Sequence, residues 1–196
     1  MTRDVILASA SPRRAELLRQ LGLSFEILPV DIDESPHIGE LPADYVHRLA
    51  MEKALTGYQR HGRREALVLG SDTTVVLDGQ ILGKPADEAE ARGLLGLLSG
   101  REHQVVTGVA LAVESGVEVR VSVTEVRFRA LDPREVDAYC ATGEPMDKAG
   151  AYGIQGRGGA FVASLRGSYS AVVGLPLDIT ASLLADAGLP VWDYWN

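Results

Sequence analysis

The sequence has only one cysteine, Cys140, among its 196 residues. A lone cysteine excludes an intramolecular disulfide and is typical of a reducing compartment. No stretch approaches the ~20 apolar residues of a membrane-spanning helix. The apolar run at residues 5–8 is too short for the core of a signal peptide. We therefore expect a cytoplasmic protein that has no membrane partner.

Positive charge is also scarce, because 19 Lys and Arg residues face 27 Asp and Glu residues, for a net charge of -8. Such a chain has no global attraction to nucleic acid or anionic lipid, so we expect no nucleic-acid partner. Any phosphate that it binds needs a local cationic cluster. The four histidines, at positions 37, 47, 61 and 103, show no metal-ligand spacing and are interpreted as surface or loop residues.

Three common nucleotide and hydrolase motifs are missing. The sequence has no Walker A motif and no Gly-x-Gly-x-x-Gly opening a helix, which excludes the common kinase and dinucleotide-binding classes. It has no Gly-x-Ser-x-Gly either, which weakens a serine-hydrolase interpretation of Ser9 or Ser11. The composition, 46% hydrophobic and 23% charged, is sufficient for one sizeable core and predicts a single domain.

Strand and helix patterns are mixed along the chain. Short strands are predicted at residues 5–8, 25–30, 67–69 and 171–173, and long strands at 104–113 and 117–128. Asp78-Gly79 predicts a hairpin between residues 73–77 and 80–82. Helices are predicted to begin at prolines 12, 42, 85, 133 and 176, and residues 143–159 form a glycine-rich loop. The pattern indicates an α/β protein with a mixed, strongly twisted sheet.

The first candidate site lies at residues 9–14, where a strand passes into a helix. Arg13 and Arg14 fall in the first helical turn, where cations are unfavourable by ~0.3–1 kcal/mol each unless an anion is present. Free N–H groups, the hydroxyls of Ser9 and Ser11, and the two guanidinium groups could together bind a phosphate. A capped helix with two solvated arginines explains the same residues.

Two charged residues are predicted in apolar surroundings. Asp72 lies between the apolar runs 67–69 and 75–77, where a carboxylate needs a cation or hydrogen-bond donors. It is a candidate metal ligand or general base, the alternative being a cap in a tight turn. Lys53 follows Leu49 and Tyr45 on the apolar stripe of its helix and needs an anionic partner there, unless it extends to solvent from the edge of the stripe.

Three further segments could contribute to the same chemistry. In the loop of residues 147–156, glycines permit close approach of a ligand, and the Gln155 amide can both donate to and accept from a base. Glu34, with Asp31 and Asp33, supplies oxygen ligands that hard cations prefer. Lys84 ends the predicted hairpin. Each segment has an alternative interpretation. Residues 147–156 could be a flexible surface loop, the segment with Glu34 a solvated acidic loop, and Lys84 only the polar end of a hairpin.

Taken together, these segments resemble the Maf family of nucleoside triphosphate pyrophosphatases. The matching motifs occur in family order: residues 7–14 (LASASPRR), the loop ending at Glu34, 52–54 (EKA), 70–73 (GSDT), 83–85 (GKP), 98–100 (LSG), 147–156 (DKAGAYGIQG), 167–169 (GSY) and 173–176 (VGLP). Each motif is weak alone, but the ordered set is specific and covers nearly the whole chain. Only the tail after Gly188 lies outside the resemblance.

The resemblance implies an elongated α/β fold related to inosine triphosphate pyrophosphatases, with one Maf-like domain over residues 1–196 and a cleft between two lobes. It implies cleavage between the α and β phosphates, with Asp72 as proton acceptor. Arg13, Thr73 and Gln155 occupy positions associated with base specificity. The loop with Gln155 is similar to that of the branch acting on dTTP and UTP, whereas a sister branch prefers 7-methyl-GTP. A homodimer and a role in septum formation, or in excluding modified nucleotides from nucleic acids, are further family-level expectations.

The expected mechanism combines these residues with a divalent cation, Mg²⁺ or Mn²⁺. Asp72 and Glu34 would hold the metal, and Asp72 would also accept a proton from water. Lys53 and Lys84, with the two arginines of the first site, would offset the triphosphate charge, while the two serines donate hydrogen bonds. The alternatives are the same reaction on 7-methyl-GTP or another modified base, and a nucleotide-binding regulator of septum formation without turnover.

Overall fold

The computed structural model describes residues 4–195, in which seven strands form one mixed sheet. The strands are β1 (Val5–Leu7), β2 (Glu26–Ile27), β3 (Leu67–Leu77), β4 (Gln80–Leu82), β5 (Glu102–Val113), β6 (Gly116–Phe128) and β7 (Val162–Arg166). Their order is β2-β1-β3-β5-β6-β7, with β4 paired to β3. β1 pairs in parallel with β2 and β3, whereas the β3–β4 and β6–β7 pairs are antiparallel. The predicted α/β class with a mixed sheet is confirmed.

Six α-helices accompany the sheet in this part of the chain: α1 (Pro12–Arg19), α2 (Pro42–His61), α3 (Glu88–Leu98), α4 (Pro133–Cys140), α5 (Tyr169–Val173) and α6 (Leu177–Asp186). Ser11 caps α1, with Pro12 as the first helical residue, and a capping box between Asp132 and Glu135 opens α4, as predicted. None of the helices within residues 4–195 combines the length and the hydropathy that a membrane-spanning segment needs.

The chain divides into two compact units. The first contains residues 4–72, 107–122 and 174–195 of the described chain, and a cluster of small apolar side chains such as Ala50, Ala54 and Ala110 lies in its core. The second contains residues 73–106 and 123–173, and its core is built on leucines of α3 and on aromatic side chains, including Phe128, Tyr152 and Phe161. β3, β5 and β6 contribute residues to both units.

Strand β3 differs from its prediction in a way that matters for function. Two segments, 67–69 and 73–77, were expected around a turn, but the strand is continuous from Leu67 to Leu77. Gly70 and Ser71 are buried within it, and the Ser71 hydroxyl lies 2.9 Å from each of the carbonyl oxygens of Gly108 and Gly174. Asp72 is therefore a strand residue, and its interpretation as a cap in a tight turn is wrong.

Four other local predictions need correction. The strand predicted at 25–30 is only two residues long, Glu26–Ile27. Helix α3 begins at Glu88 because the Asp87 side chain, not Pro85, caps it. Residues 171–173 are helical, and β7 was not predicted. His103 is buried at 2% exposure, not a surface residue.

Candidate functional site

The close approach of α2 to β3 is determined by Gly70. A Cβ atom at this position would lie 2.4 Å from the carbonyl oxygen of Ala50 and 2.5 Å from the backbone nitrogen of Ala54. Only glycine permits such contact between a strand backbone and a helix backbone. Lys53 lies on α2 between these two alanines, and Asp72 follows Gly70 by two residues on β3. The small residue thus allows the lysine to reach the carboxylate.

Lys53 joins two carboxylates of the first unit. Its Nζ lies 2.7 Å from Asp72 Oδ1 and 2.6 Å from Glu34 Oε1. The Lys53 and Asp72 side chains are 9% and 10% exposed, whereas that of Glu34 is 45% exposed. The lysine occupies the buried stripe of α2, as its spacing predicted, and it is ion-paired there instead of extending to solvent.

The loop that carries Glu34 is held in place from α2. The Tyr45 hydroxyl donates to the backbone carbonyl of Glu34 at 2.9 Å, and Arg48 Nη2 donates to that of Ser35 at 3.1 Å. Arg48 also binds both oxygens of Glu40, at 2.7 and 2.8 Å. These bonds fix the backbone at Glu34 and Ser35 and the side chain of Glu40.

The pKa values in this loop reflect the same contacts. The hydrogen bonds from Arg48 lower the pKa of Glu40 to about 2. Burial raises the pKa of Tyr45 to about 12, and the negative charges of Asp72 and Glu34 add to the effect. Neither Arg48 nor Tyr45 was predicted from the sequence to act in the site. The spacing of Tyr45 predicts only a member of the apolar stripe of α2, and no local spacing links Arg48 to Glu40.

The residues of the predicted phosphate site lie at the start of α1. The Ser9 hydroxyl accepts hydrogen bonds from the Ser11 backbone N–H at 3.1 Å and from Arg14 Nη1 at 3.4 Å. Arg14 Nε donates to the carbonyl of Gly174 at 2.9 Å. The guanidinium group of Arg14 is therefore held between Ser9, before α1, and Gly174, while Ser11 caps the helix.

Arg14 also lies within the electrostatic field of the two carboxylates. Burial lowers the pKa of its guanidinium group, whereas the charges of Asp72 and Glu34 oppose that decrease and Arg13 adds to it. The first unit thus brings together the predicted serines, both arginines, Glu34, Lys53 and Asp72. Cationic and anionic side chains therefore lie together in this unit.

The remaining predicted residues belong to the second unit. Thr73 directly follows Asp72 on β3 and is half-buried. Lys84 is exposed after β4, and the carbonyl of the preceding Gly83 accepts a hydrogen bond from Gly150 N–H at 3.0 Å. That bond attaches the Lys84 segment to the loop of residues 147–156. Gln155 is exposed at a turn in this loop, so its amide is accessible to a ligand.

Metal binding would depend on few protein ligands. Among residues 4–195 no group of three or more His, Cys, Asp and Glu side chains could hold a metal ion. Mg²⁺ is commonly held by one or two carboxylates, substrate phosphates and water. Asp72 and Glu34 already converge on one cationic group, the ammonium of Lys53. This pair of oxygen donors fits a metal that is completed by the substrate.

Comparison with known proteins gives consistent matches along the chain. Residues 4–187 match the family described as Maf-like protein. A dTTP/UTP pyrophosphatase of Shewanella sp. (strain MR-7) is 56% identical over 192 residues, covering 95% of this chain and 99% of that protein. A dTTP/UTP pyrophosphatase of Aromatoleum aromaticum is 52% identical over 199 residues, covering 95% and 97%.

Solved structures also align with part of the chain. A nucleoside-triphosphatase, or dITP/XTP pyrophosphatase, from Mycobacterium abscessus aligns with a TM-score of 0.43 and 22% identity, over 65% of this chain and 75% of that chain. The Ham1 protein of Staphylococcus aureus aligns with a TM-score of 0.47 and 14% identity, over 64% and 71%. Because the sequence match extends over residues 4–187 and relatives are identical at more than half of the aligned positions, this chain belongs to the Maf family.

Proposed function

We propose that this chain hydrolyses dTTP and UTP to the nucleoside monophosphate and pyrophosphate, with a divalent cation, Mg²⁺ or Mn²⁺, as cofactor. The observation that carries the proposal is the buried Lys53, whose ammonium joins Asp72 and Glu34 beside the arginine at the start of α1. Relatives named dTTP/UTP pyrophosphatase, aligned over nearly their full length, support the substrate class.

Phosphate binding is assigned to the start of α1. The helix N-terminus offers backbone N–H groups, and Ser9, Ser11, Arg13 and Arg14 add hydroxyl and guanidinium donors. These groups supply locally the positive charge that the chain lacks as a whole. The carbonyl of Gly174 orients Arg14, so its guanidinium group loses little side-chain freedom when a phosphate binds.

Asp72 is the proposed proton acceptor. Water attacks the α phosphorus, the bond from that phosphorus to the oxygen bridging to the β phosphate breaks, and the proton of the water passes to the Asp72 carboxylate. Pyrophosphate leaves with the bridging oxygen. Lys53 holds the Asp72 carboxylate in a fixed orientation, and its positive charge offsets part of the charge that accumulates on the phosphates.

The two carboxylates, Asp72 and Glu34, would also hold the divalent cation. When bound, such a cation lowers the pKa of water and neutralises phosphate oxygens. The hydrogen bonds of Tyr45 and Arg48 restrain the backbone around Glu34, so an exposed loop can still present this carboxylate to Lys53. Lys84 is proposed to offset phosphate charge, and Thr73 and Gln155 to contact the base.

The direct test is a release assay for pyrophosphate over a panel of natural and modified triphosphates, including dTTP, UTP, CTP and 7-methyl-GTP. We expect dTTP and UTP to be hydrolysed fastest, and only when Mg²⁺ or Mn²⁺ is present. Asp72→Asn is the matched control, since it keeps the side-chain shape and removes the charge. Preference for 7-methyl-GTP would reassign the substrate, and absence of turnover on every triphosphate would favour a binding protein.

A further inference from the structure

The turn that carries Gln155 is built around the carboxylate of Glu144. Glu144 begins a short 3-10 helix, Glu144–Asp147, and its side chain is only 15% exposed. The backbone N–H of Arg157 donates to Oε2 at 3.1 Å, and that of Gly158 donates to Oε1 at 3.2 Å. Hydrogen bonds to an ionised carboxylate are stronger than neutral ones, so they hold this segment firmly.

The same carboxylate restrains the chain before Gln155 through a tyrosine. The Tyr139 hydroxyl donates to Glu144 Oε1 at 3.0 Å and accepts the backbone N–H of Gly153 at 3.2 Å. Gln155 therefore lies between two anchored positions, Gly153 on one side and Arg157 on the other. Burial by itself would raise the pKa of Glu144, but the hydrogen bonds from Gly158, Arg157 and Tyr139 lower it overall.

Gly156 shows how closely the turn is fitted to Glu144. A Cβ atom at Gly156 would lie 2.2 Å from Glu144 Oε1 and 2.5 Å from Cδ. The backbone next to Gln155 therefore lies directly against the carboxylate. Any larger residue at this position would push Glu144 away from the N–H groups that it accepts from.

We infer that Glu144 is a positioning residue for base recognition, which orients Gln155 by fixing the backbone on both sides of it. The inference rests on the proposed function, in which the Gln155 amide contacts the base. Fixing the backbone sets the position from which the Gln155 side chain extends, whereas a side chain on a mobile backbone can adapt its amide to either hydrogen-bonding pattern. Glu144 thus determines specificity without contacting the substrate.

Glu144→Gln is the most direct variant. It keeps the size of the side chain but replaces one accepting oxygen with an NH₂ donor, which cannot accept from a backbone N–H. Glu135→Gln is the matched control in the same unit, because Glu135 also accepts from a backbone N–H, that of Asp132, and from Arg129. Gly156→Ala provides a second variant that displaces the carboxylate without changing its charge.

Two readouts separate positioning from general destabilisation. The first is amide hydrogen exchange of a peptide covering residues 153–158, measured well below the melting temperature of each variant. The second is the ratio of kcat/KM for UTP to that for CTP. We expect Glu144→Gln and Gly156→Ala to raise the exchange rate about 10-fold or more and to reduce the ratio from at least ~10 to within about 3. Glu135→Gln should change neither.

Each contrary result has a distinct meaning. An unchanged exchange rate in Glu144→Gln would overturn the positioning role, whatever the enzyme hydrolyses. Faster exchange with the parental UTP-to-CTP ratio would show that the turn is held by Glu144 but does not set specificity, which also overturns the inference. A parent protein that hydrolyses no triphosphate would instead defeat the proposed function, and with it any role of Glu144 in specificity.

Discussion

Replacement of Lys53 by methionine separates the ion pair from the apolar packing of α2. Methionine fits the buried stripe of the helix and loses only the ammonium group. From the sequence alone, a lysine in this stripe that faces a phosphate predicts a variant that loses activity more than stability, whereas a lysine that extends to solvent predicts a variant as active as the parent. The structure adds a cost in stability, because the ammonium is the partner of a carboxylate that is only 10% exposed.

The size of the stability loss follows from the two ion pairs that Lys53 makes, one with Asp72 and one with Glu34. Removing one partner of a buried pair costs about 3–5 kcal/mol, whereas exposed pairs contribute only about 0–1 kcal/mol. Glu34 is 45% exposed and belongs nearer to the second class. We therefore expect Lys53→Met to lower the free energy of unfolding by about 3 kcal/mol, chiefly through Asp72. The loss of one positioned cation should also reduce kcat about 100-fold or more.

Urea denaturation and pyrophosphate release on the same preparation would measure both effects. With an m value of roughly 2 kcal/mol/M, the midpoint should fall by about 1.5 M. Arg63→Met is the matched control, since it removes the cation of an exposed pair with Asp4 in the same unit, with side chains 70% and 48% exposed. The double variant Lys53→Met, Asp72→Asn should recover stability but not activity. Parental stability and kcat in Lys53→Met would refute the reasoning.

The remaining predictions concern the base, the substrate and acid stability. Asp72→Asn should reduce kcat at least ~100-fold with the fold intact, and near-parental turnover would exclude a base role. The kcat/KM for UTP and dTTP should exceed that for CTP by at least ~10-fold. The Gln155→Leu variant should show a smaller ratio. Equal steady-state rates of the parent on UTP and CTP would contradict the proposed base contact. Burial lowers the pKa of His103 from 6.5 to about 4. The unfolded chain therefore binds a proton that the folded chain excludes, and roughly 3 kcal/mol of stability should be lost as the pH falls from about 6.5 to 4. In denaturation curves measured at several pH values, a His103→Phe variant should lack this loss of stability. If the free energy of unfolding falls equally with pH in parent and variant, His103 is not the cause.

Features that depend on local periodicity were predictable from the sequence. The spacing of Lys53 from Leu49 and Tyr45 placed it on the buried stripe of α2, and the structure shows it there. The caps at Ser11 and at Asp132 were also confirmed. Each of these features depends on residues a few positions apart, where helix geometry determines the neighbours.

Features that depend on tertiary packing were not predictable in the same way. Gly70 and Ser71 indicated a turn, but both are buried small residues in β3, because α2 packs against that backbone. Val172 and Val173 have β-forming side chains, yet the Ser168 hydroxyl accepts from the Ala171 N–H and the segment is helical.

Groups that are distant in sequence were missed for the same reason. The pairing of Tyr139 with Gly153 joins residues 14 positions apart and has no sequence signature. The pairing of Arg48 with Glu40 crosses the start of α2 and likewise follows no helical spacing. Such contacts become visible only once the surrounding backbone has been placed.

The most direct measurement is hydrolysis of UTP in water enriched in ¹⁸O, with mass spectrometry of the products. If water attacks the α phosphorus, the products are UMP and pyrophosphate, and the label appears in UMP alone. Excess chelator should abolish the reaction. Formation of UDP and orthophosphate, appearance of the label in pyrophosphate, or full activity in chelator would contradict the proposed reaction.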